Sequence, residues 1–144
     1  MLCRISNRCE LALFIVRIML GVIFIAHGAQ KVLGAFGGPG LDGFVQWSAT
    51  IGIPGWLAYA AAFAELIAGI LLFFGIASEF GALLVIGVMA GAIWFVHFDK
   101  GFFGPNGFEY PLSLLIFAFA ILIGGPGQYY VWCMCKKLNC KCTQ

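Results

Sequence analysis

Charge is what this sequence has least of. Only 10% of its 144 residues are Asp, Glu, Lys or Arg, 62% are hydrophobic, and the mean hydropathy is +1.02. Soluble domains carry about a quarter charged residues and about half apolar ones. A chain this short cannot bury so much apolar surface in one aqueous core, so lipid has to act as its solvent. The net charge of +2 is small, and no basic block interleaved with aromatics appears outside the C-terminal stretch. A nucleic-acid partner is therefore not expected. No nucleophile sits beside a base, and no GK[ST] follows the glycine-rich run, which excludes a phosphate loop. Strict alternation of polar and apolar residues is missing, which argues against a membrane β-barrel.

The apolar runs have membrane length. Leu11 to Val32 is interrupted only by Arg17, His27, Gln30 and Lys31; Trp56 to Ala77 carries one charge, Glu65. Phe80 to Phe98 and Pro111 to Gly125 contain no Asp, Glu, Lys or Arg. A helix needs about 20 residues to cross the hydrocarbon core. The expected fold is an all-α, integral membrane bundle of four transmembrane helices, with spans near 11–33, 56–77, 80–98 and 110–127. The fourth apolar run is short, and Tyr110, Tyr129, Tyr130 and Trp132 supply interfacial belts around it. Arg17 breaks the first run, which is longer than a signal-peptide core, so a retained helix is expected. One domain, 1–132, is followed by a tail, 133–144.

With the N-terminus inside, Arg4, Arg8, Lys136, Lys137 and Lys141 face the cytoplasm, and only Lys31 and Lys100 lie outside. That bias predicts both termini in the cytoplasm of a bacterial inner membrane. A bare Ser78-Glu79 turn then joins the second and third spans inside. The glycine-rich stretch Gly34 to Gly43 opens the first outer loop, where Phe44, Trp47 and Ile51 predict a short interfacial or re-entrant helix. Gly87-xxx-Gly91 and Ala60-xxx-Ala64-xxx-Ala68 are expected to be close-packing faces.

Ionisable groups inside spans are costly, by about 2.5–3.5 kcal/mol or more each, so each needs a reason. His27 and Lys31 stand one turn apart on one helix face, with Gln30 beside them. His27, Gln30, Lys31, His97 and Glu109 can line one outward-opening ligand cavity, with Glu65 at its floor. Arg17 is expected to snorkel or to form a structural ion pair, with Glu79 as the favoured partner and Glu65 as another. Two histidines at different depths make a poor haem site.

Cysteine is absent from residues 10–132; all six lie at the ends. Cys133, Cys135, Cys140 and Cys142 form two CxC pairs that could hold Zn or Cu(I) as thiolates. The competing readings are a reduced basic tail on anionic lipid, or S-acylation.

The run Arg17-Ile-Met-Leu-Gly21, then Phe24-Ile-Ala-His27-Gly28-Ala-Gln30-Lys31, resembles the first-helix signature of the DoxX family. The resemblance continues through Phe36-Gly-Gly-Pro-Gly40, Gly52-Ile-Pro54 and Ala64-Glu65. It includes Met89, Ala92, His97 and Gly101-Phe102-Phe103, then Glu109-Tyr110-Pro111-Leu112 and Gly125-Pro126-Gly127, so it spans about residues 11–128. It implies a small bacterial four-helix membrane protein. It also implies kinship with subunits of quinone-linked respiratory or thiosulfate-oxidising oxidoreductases, and with thiol and oxidative-stress systems. The terminal cysteines and Gln128-Tyr-Tyr depart from the family pattern.

The expected function is a membrane subunit of a quinone-linked redox complex, with electrons supplied by a partner protein. Any enzymatic role would be that of a subunit. The alternatives are a non-catalytic scaffold or small-solute carrier, and metal handling through the terminal cysteines; a homo-oligomer is left open.

Overall fold

A computed structural model describes residues 2–127 apart from Pro105, with side chains from residue 8 onward. The described residues form helices and connecting turns, with no strand among them. Helix α1 runs Leu2–Leu33, α2 Gly40–Thr50, α3 Gly55–Phe74, α4 Ser78–Ala92 and α5 Glu109–Gly124. A 3-10 turn at Ala35–Gly37 joins α1 to α2. Helix α4 continues through a π-helical turn, Ile93–His97, and a 3-10 turn, Phe98–Lys100.

Three of these segments are long and apolar enough to cross a membrane: Arg8–Leu33, Gly55–Phe74 and Ser78–Lys100. Glu109–Gly124 is a shorter apolar helix. Their outward faces carry large exposed apolar side chains, including Ile15, Met19, Ile67, Phe80, Leu83, Ile116 and Ile123. Helices apolar on the outside as well as the inside belong in lipid.

Helices α1 and α3 pack antiparallel and very closely. A Cβ on Gly21 would lie 2.7 Å from the Phe73 nitrogen, one on Gly28 2.6 Å from Leu66 Cα, and one on Gly69 2.4 Å from the Ile25 nitrogen. Backbone meets backbone here because no side chain intervenes. The expected Gly87-xxx-Gly91 face is not used among the described residues, since a Cβ at either glycine would have nothing within 4 Å. Along the alanine series Ala68 is buried, Ala64 half-buried and Ala60 exposed. The buried stripe of α3 is Ala58, Ala62, Glu65, Ala68, Gly69 and Leu72, which keeps only Ala68 of that series.

The turn between α3 and α4 also departs from expectation. It occupies Gly75–Ala77, and Ser78 and Glu79 already belong to α4. Gly75 ends α3 in the left-handed region at φ 69, with Ile76 N–H donating to the Leu71 carbonyl and Gly75 N–H to that of Leu72. These paired bonds define a Schellman stop, which glycine enters without a Cβ clash.

Arg17 reaches this stop. Its side chain is fully buried, and Nη1 donates to the Leu72 carbonyl at 2.9 Å, while the guanidinium stands 5.5 Å from the Phe14 ring centroid. A cation at a helix C-terminus meets the negative dipole end, and the Leu72 carbonyl has a second lone pair to accept from it. Glu79, the partner favoured from sequence, is exposed in the first turn of α4. Arg17→Leu is expected to cost about 1.5–3 kcal/mol, the usual worth of a charge-assisted bond, with the loss read in denaturant unfolding. A change under about 0.5 kcal/mol would remove this role.

Buried Leu20, Phe24, Ala68, Leu72, Ala82, Val85, Met89, Leu114, Ala118 and Ile121 form the main core. A smaller cluster of Phe44, Ala58 and Ala62 fixes α2 onto the N-terminal half of α3. The short helix expected after the first span is therefore present, and it turns Phe44 and Ser48 inward, one turn apart.

Candidate functional site

At the bundle end where α1 finishes and α5 begins, four helices surround a cavity of about 140 Å³. Helix α1 contributes Phe24, His27 and Lys31; α3 contributes Glu65; the α4 segment contributes Met89, Ala92 and His97; α5 contributes Tyr110, Pro111 and Leu114. Phe24, His27 and Lys31 share a face because they are spaced three and four apart.

Glu65 is the most buried charged group of the cavity, at 2% exposure. It forms a hydrogen-bonded ion pair with Lys31 through Oε1. The Lys31 ammonium also lies 4.7 Å from the Phe44 ring centroid, so α2 covers the cation. The second carboxylate oxygen, Glu65 Oε2, is buried without a protein hydrogen-bond partner. A buried acceptor left this way carries a free-energy penalty of about 1–3 kcal/mol unless something else donates to it.

His97 is set by the loop that follows it. Its Nδ1 lies 2.7 Å from the Asn106 carbonyl oxygen. A carbonyl only accepts, so Nδ1 carries the hydrogen and donates, leaving Nε2 as the ring's other hydrogen-bonding atom. The loop is closed by Phe108 N–H donating to the Gly101 carbonyl and Glu109 N–H to that of Phe102. The π turn decides which residue arrives here. In a regular helix Val96 would sit two turns on from Met89; one extra residue per π turn puts His97 on that face instead.

The structure thus brings together His27, Lys31, Glu65 and His97. Gln30 and Glu109 do not line the cavity. The Gln30 backbone packs against Gly38, where a Cβ would lie 2.4 Å from the Gln30 carbonyl oxygen. Glu109 starts α5, and its carbonyl accepts from Ser113 Oγ at 2.8 Å. Phe24, Met89, Tyr110 and Pro111 join the lining unforeseen as site residues. The i+3 step from Phe24 to His27 was a readable signal; the π turn had none. Among the described residues no group of three His, Cys, Asp or Glu could hold a metal. Cys133, Cys135, Cys140 and Cys142 lie outside the described residues, and Cys9 is exposed and free.

Apolar outward faces around an ionisable cluster with a buried carboxylate define a helical membrane protein with a polar pocket near one end. The chain belongs to the DoxX family, whose model matches residues 12–98. It is 35% identical over 105 residues to a Bacillus subtilis protein named "Putative oxidoreductase CatD", covering 73% of this chain and 74% of that one. No solved structure matches the chain.

Proposed function

We propose that this DoxX protein is the membrane subunit of a quinone-linked redox complex and binds a quinone-type ring in the cavity between His27, Glu65 and His97. The observation that carries this reading is the orphan Glu65 Oε2 in a cavity whose other walls include Phe24, Met89, Ala92, Pro111 and Leu114. A hydroquinone hydroxyl is a donor of the kind this oxygen lacks, and His97 Nε2 offers a second polar atom. Together they could take up the two protons released when a hydroquinone gives up two electrons. The electrons would pass to a partner protein, in keeping with the relative named as an oxidoreductase.

Size agrees with this ligand class. A cavity of about 140 Å³ is close to the about 150 Å³ that accommodates a benzene ring in an engineered protein core. In the proposed topology α5 is the fourth span; its 16 residues make a helix about 24 Å long, with interfacial aromatics extending it. Both ends of the chain lie in the cytoplasm of a bacterial inner membrane, α2 lies at the outer interface, and the cavity sits in the outer half of the bundle. Arg8 at one end of α1 and the few basic residues at the other support that orientation.

The test is mass spectrometry of quinone retained by the protein purified in native lipid. Wild type is expected to keep quinone, while Glu65→Gln and His97→Ala lose it by about tenfold, a 1.4 kcal/mol change typical of one good polar contact. Retention unchanged in both variants would reject this site.

A further inference from the structure

The flank of α1 that faces α5 changes character along its length. Leu13, Val16, Leu20 and His27 fall within an arc of about 60° on that helix. Leu20 is buried, Val16 is packed on the core and Leu13 is half-buried. His27, on the same flank, is exposed. The partner flank of α5 holds Tyr110, Phe117 and Gly124, spaced seven apart and within an arc of about 40°. Gly124 lets α5 close onto α1, since a Cβ there would lie 2.8 Å from Leu13 Cδ1. Gly127 approaches further, with a would-be Cβ 2.5 Å from the Glu10 carbonyl oxygen. Two turns up from Gly124 the small residue is replaced by Phe117, 47% exposed, and then by Tyr110, 53% exposed.

The two helices are therefore joined at their glycine end and parted at the other, where His27 and Tyr110 both line the cavity. The top of the cavity is covered differently, by Phe44 of α2 over Lys31 and by the Gly101–Phe108 loop that holds His97. At the α1–α5 seam, by contrast, the cavity-lining side chains His27 and Tyr110 are both exposed.

We propose that the seam between α1 and α5 is a lateral portal, through which a membrane-dissolved ligand enters head first and in which its apolar tail remains, between Ile23 of α1 and Phe117 of α5. This rests on the quinone-type reading of the cavity and adds that the ligand is lipid-tailed and taken from the bilayer. The ring reaches Glu65 and His97, His27 and Tyr110 flank the entrance, and the tail continues along the groove that Ile23 and Phe117 border. Ile23 is partly buried against the core on this side of α1.

The experiment compares two probes in lipid nanodiscs: a ubiquinone analogue with a decyl tail, and the same substituted ring without a tail. Retention of each is counted by mass spectrometry against empty nanodiscs. Ile23→Trp fills the groove and is expected to weaken the tailed probe by about tenfold or more while the bare ring stays within about threefold, because the tail forfeits its van der Waals contacts. Phe117→Ala removes one wall and is expected to weaken the tailed probe alone, by about threefold. If Ile23→Trp does not fold, Phe117→Ala decides. Parallel loss of both probes, or loss of neither, in a variant that melts like wild type would overturn the portal and leave the cavity reading standing. If wild type binds neither probe, the cavity reading falls and takes the portal with it.

Discussion

Lys31→Met is expected to destabilise the protein by about 3 kcal/mol, the lower end of the range for breaking a buried ion pair. Lys31 lies at the end of α1, with 24% of its side chain exposed, whereas the Glu65 side chain is 3% exposed in the middle of α3. Removing the cation strands a carboxylate whose other oxygen already lacks a protein partner. Lys31 remains partly reachable by solvent, which sets the lower figure. The double variant Lys31→Met with Glu65→Met removes the charge and its need together. It is expected to return to within about 1 kcal/mol of wild type, since apolar replacement of a buried pair is often neutral or better. Reversible unfolding in bicelles gives both values. A Lys31→Met loss below about 1 kcal/mol would show that Lys31 does not hold Glu65. If the double variant recovers stability but retains no quinone, the pair serves binding more than folding.

This result bears on why an unfavourable arrangement stands in the core. A Leu at each position would pack the α1–α3 contact without desolvating charge, so stability gives little reason for the pair. The pair does hold the carboxylate in one orientation, with Oε1 toward Lys31 and Oε2 left over. A site that must offer one fixed acceptor in an apolar setting gains from such a tether.

The proximity of the ionisable residues was legible in the sequence because lipid leaves few places for them. His27 and Lys31 share a helix face by spacing alone, and Glu65 in the middle of an apolar run has to turn inward. The end of α1 at Leu33 was legible from the glycines that follow it. The α3 end was placed three residues late, because the apolar run continues to Ala77 while the backbone stops at Gly75. Hydropathy measures side chains and does not register a left-handed stop. The π turn at Ile93–His97 was illegible for a related reason, since no proline or charge marks it. The Arg17 bond to the Leu72 carbonyl was not legible either, because hydropathy and charge do not mark where a helix terminus offers a backbone acceptor.

The glycines carry the sharpest remaining contrast. Gly69→Ala is expected to cost about 3 kcal/mol, whereas Gly87→Ala should be neutral or stabilising by up to about 1 kcal/mol. Both are interior helix positions, so the backbone preference for alanine is the same. The difference lies in what the new methyl meets. At Gly69 it would come within 2.4 Å of the Ile25 nitrogen and 2.7 Å of the Phe24 carbonyl carbon, atoms that no rotamer change can move. Helix α1 would have to shift bodily, and overpacking of this kind costs about 1–3 kcal/mol, with the upper end apt where backbone is struck. At Gly87 nothing lies within 4 Å. Phe24 lines the cavity, so the Gly69 shift should also reach the binding site. Gly69→Ala is expected to lose retained quinone along with stability, and Gly87→Ala to lose neither. Equal unfolding free energies for the two variants would mean that α1 and α3 do not approach as closely as described. A selective loss in Gly87→Ala would instead place a helix against the Leu83–Gly87 side of α4, where the described residues supply none.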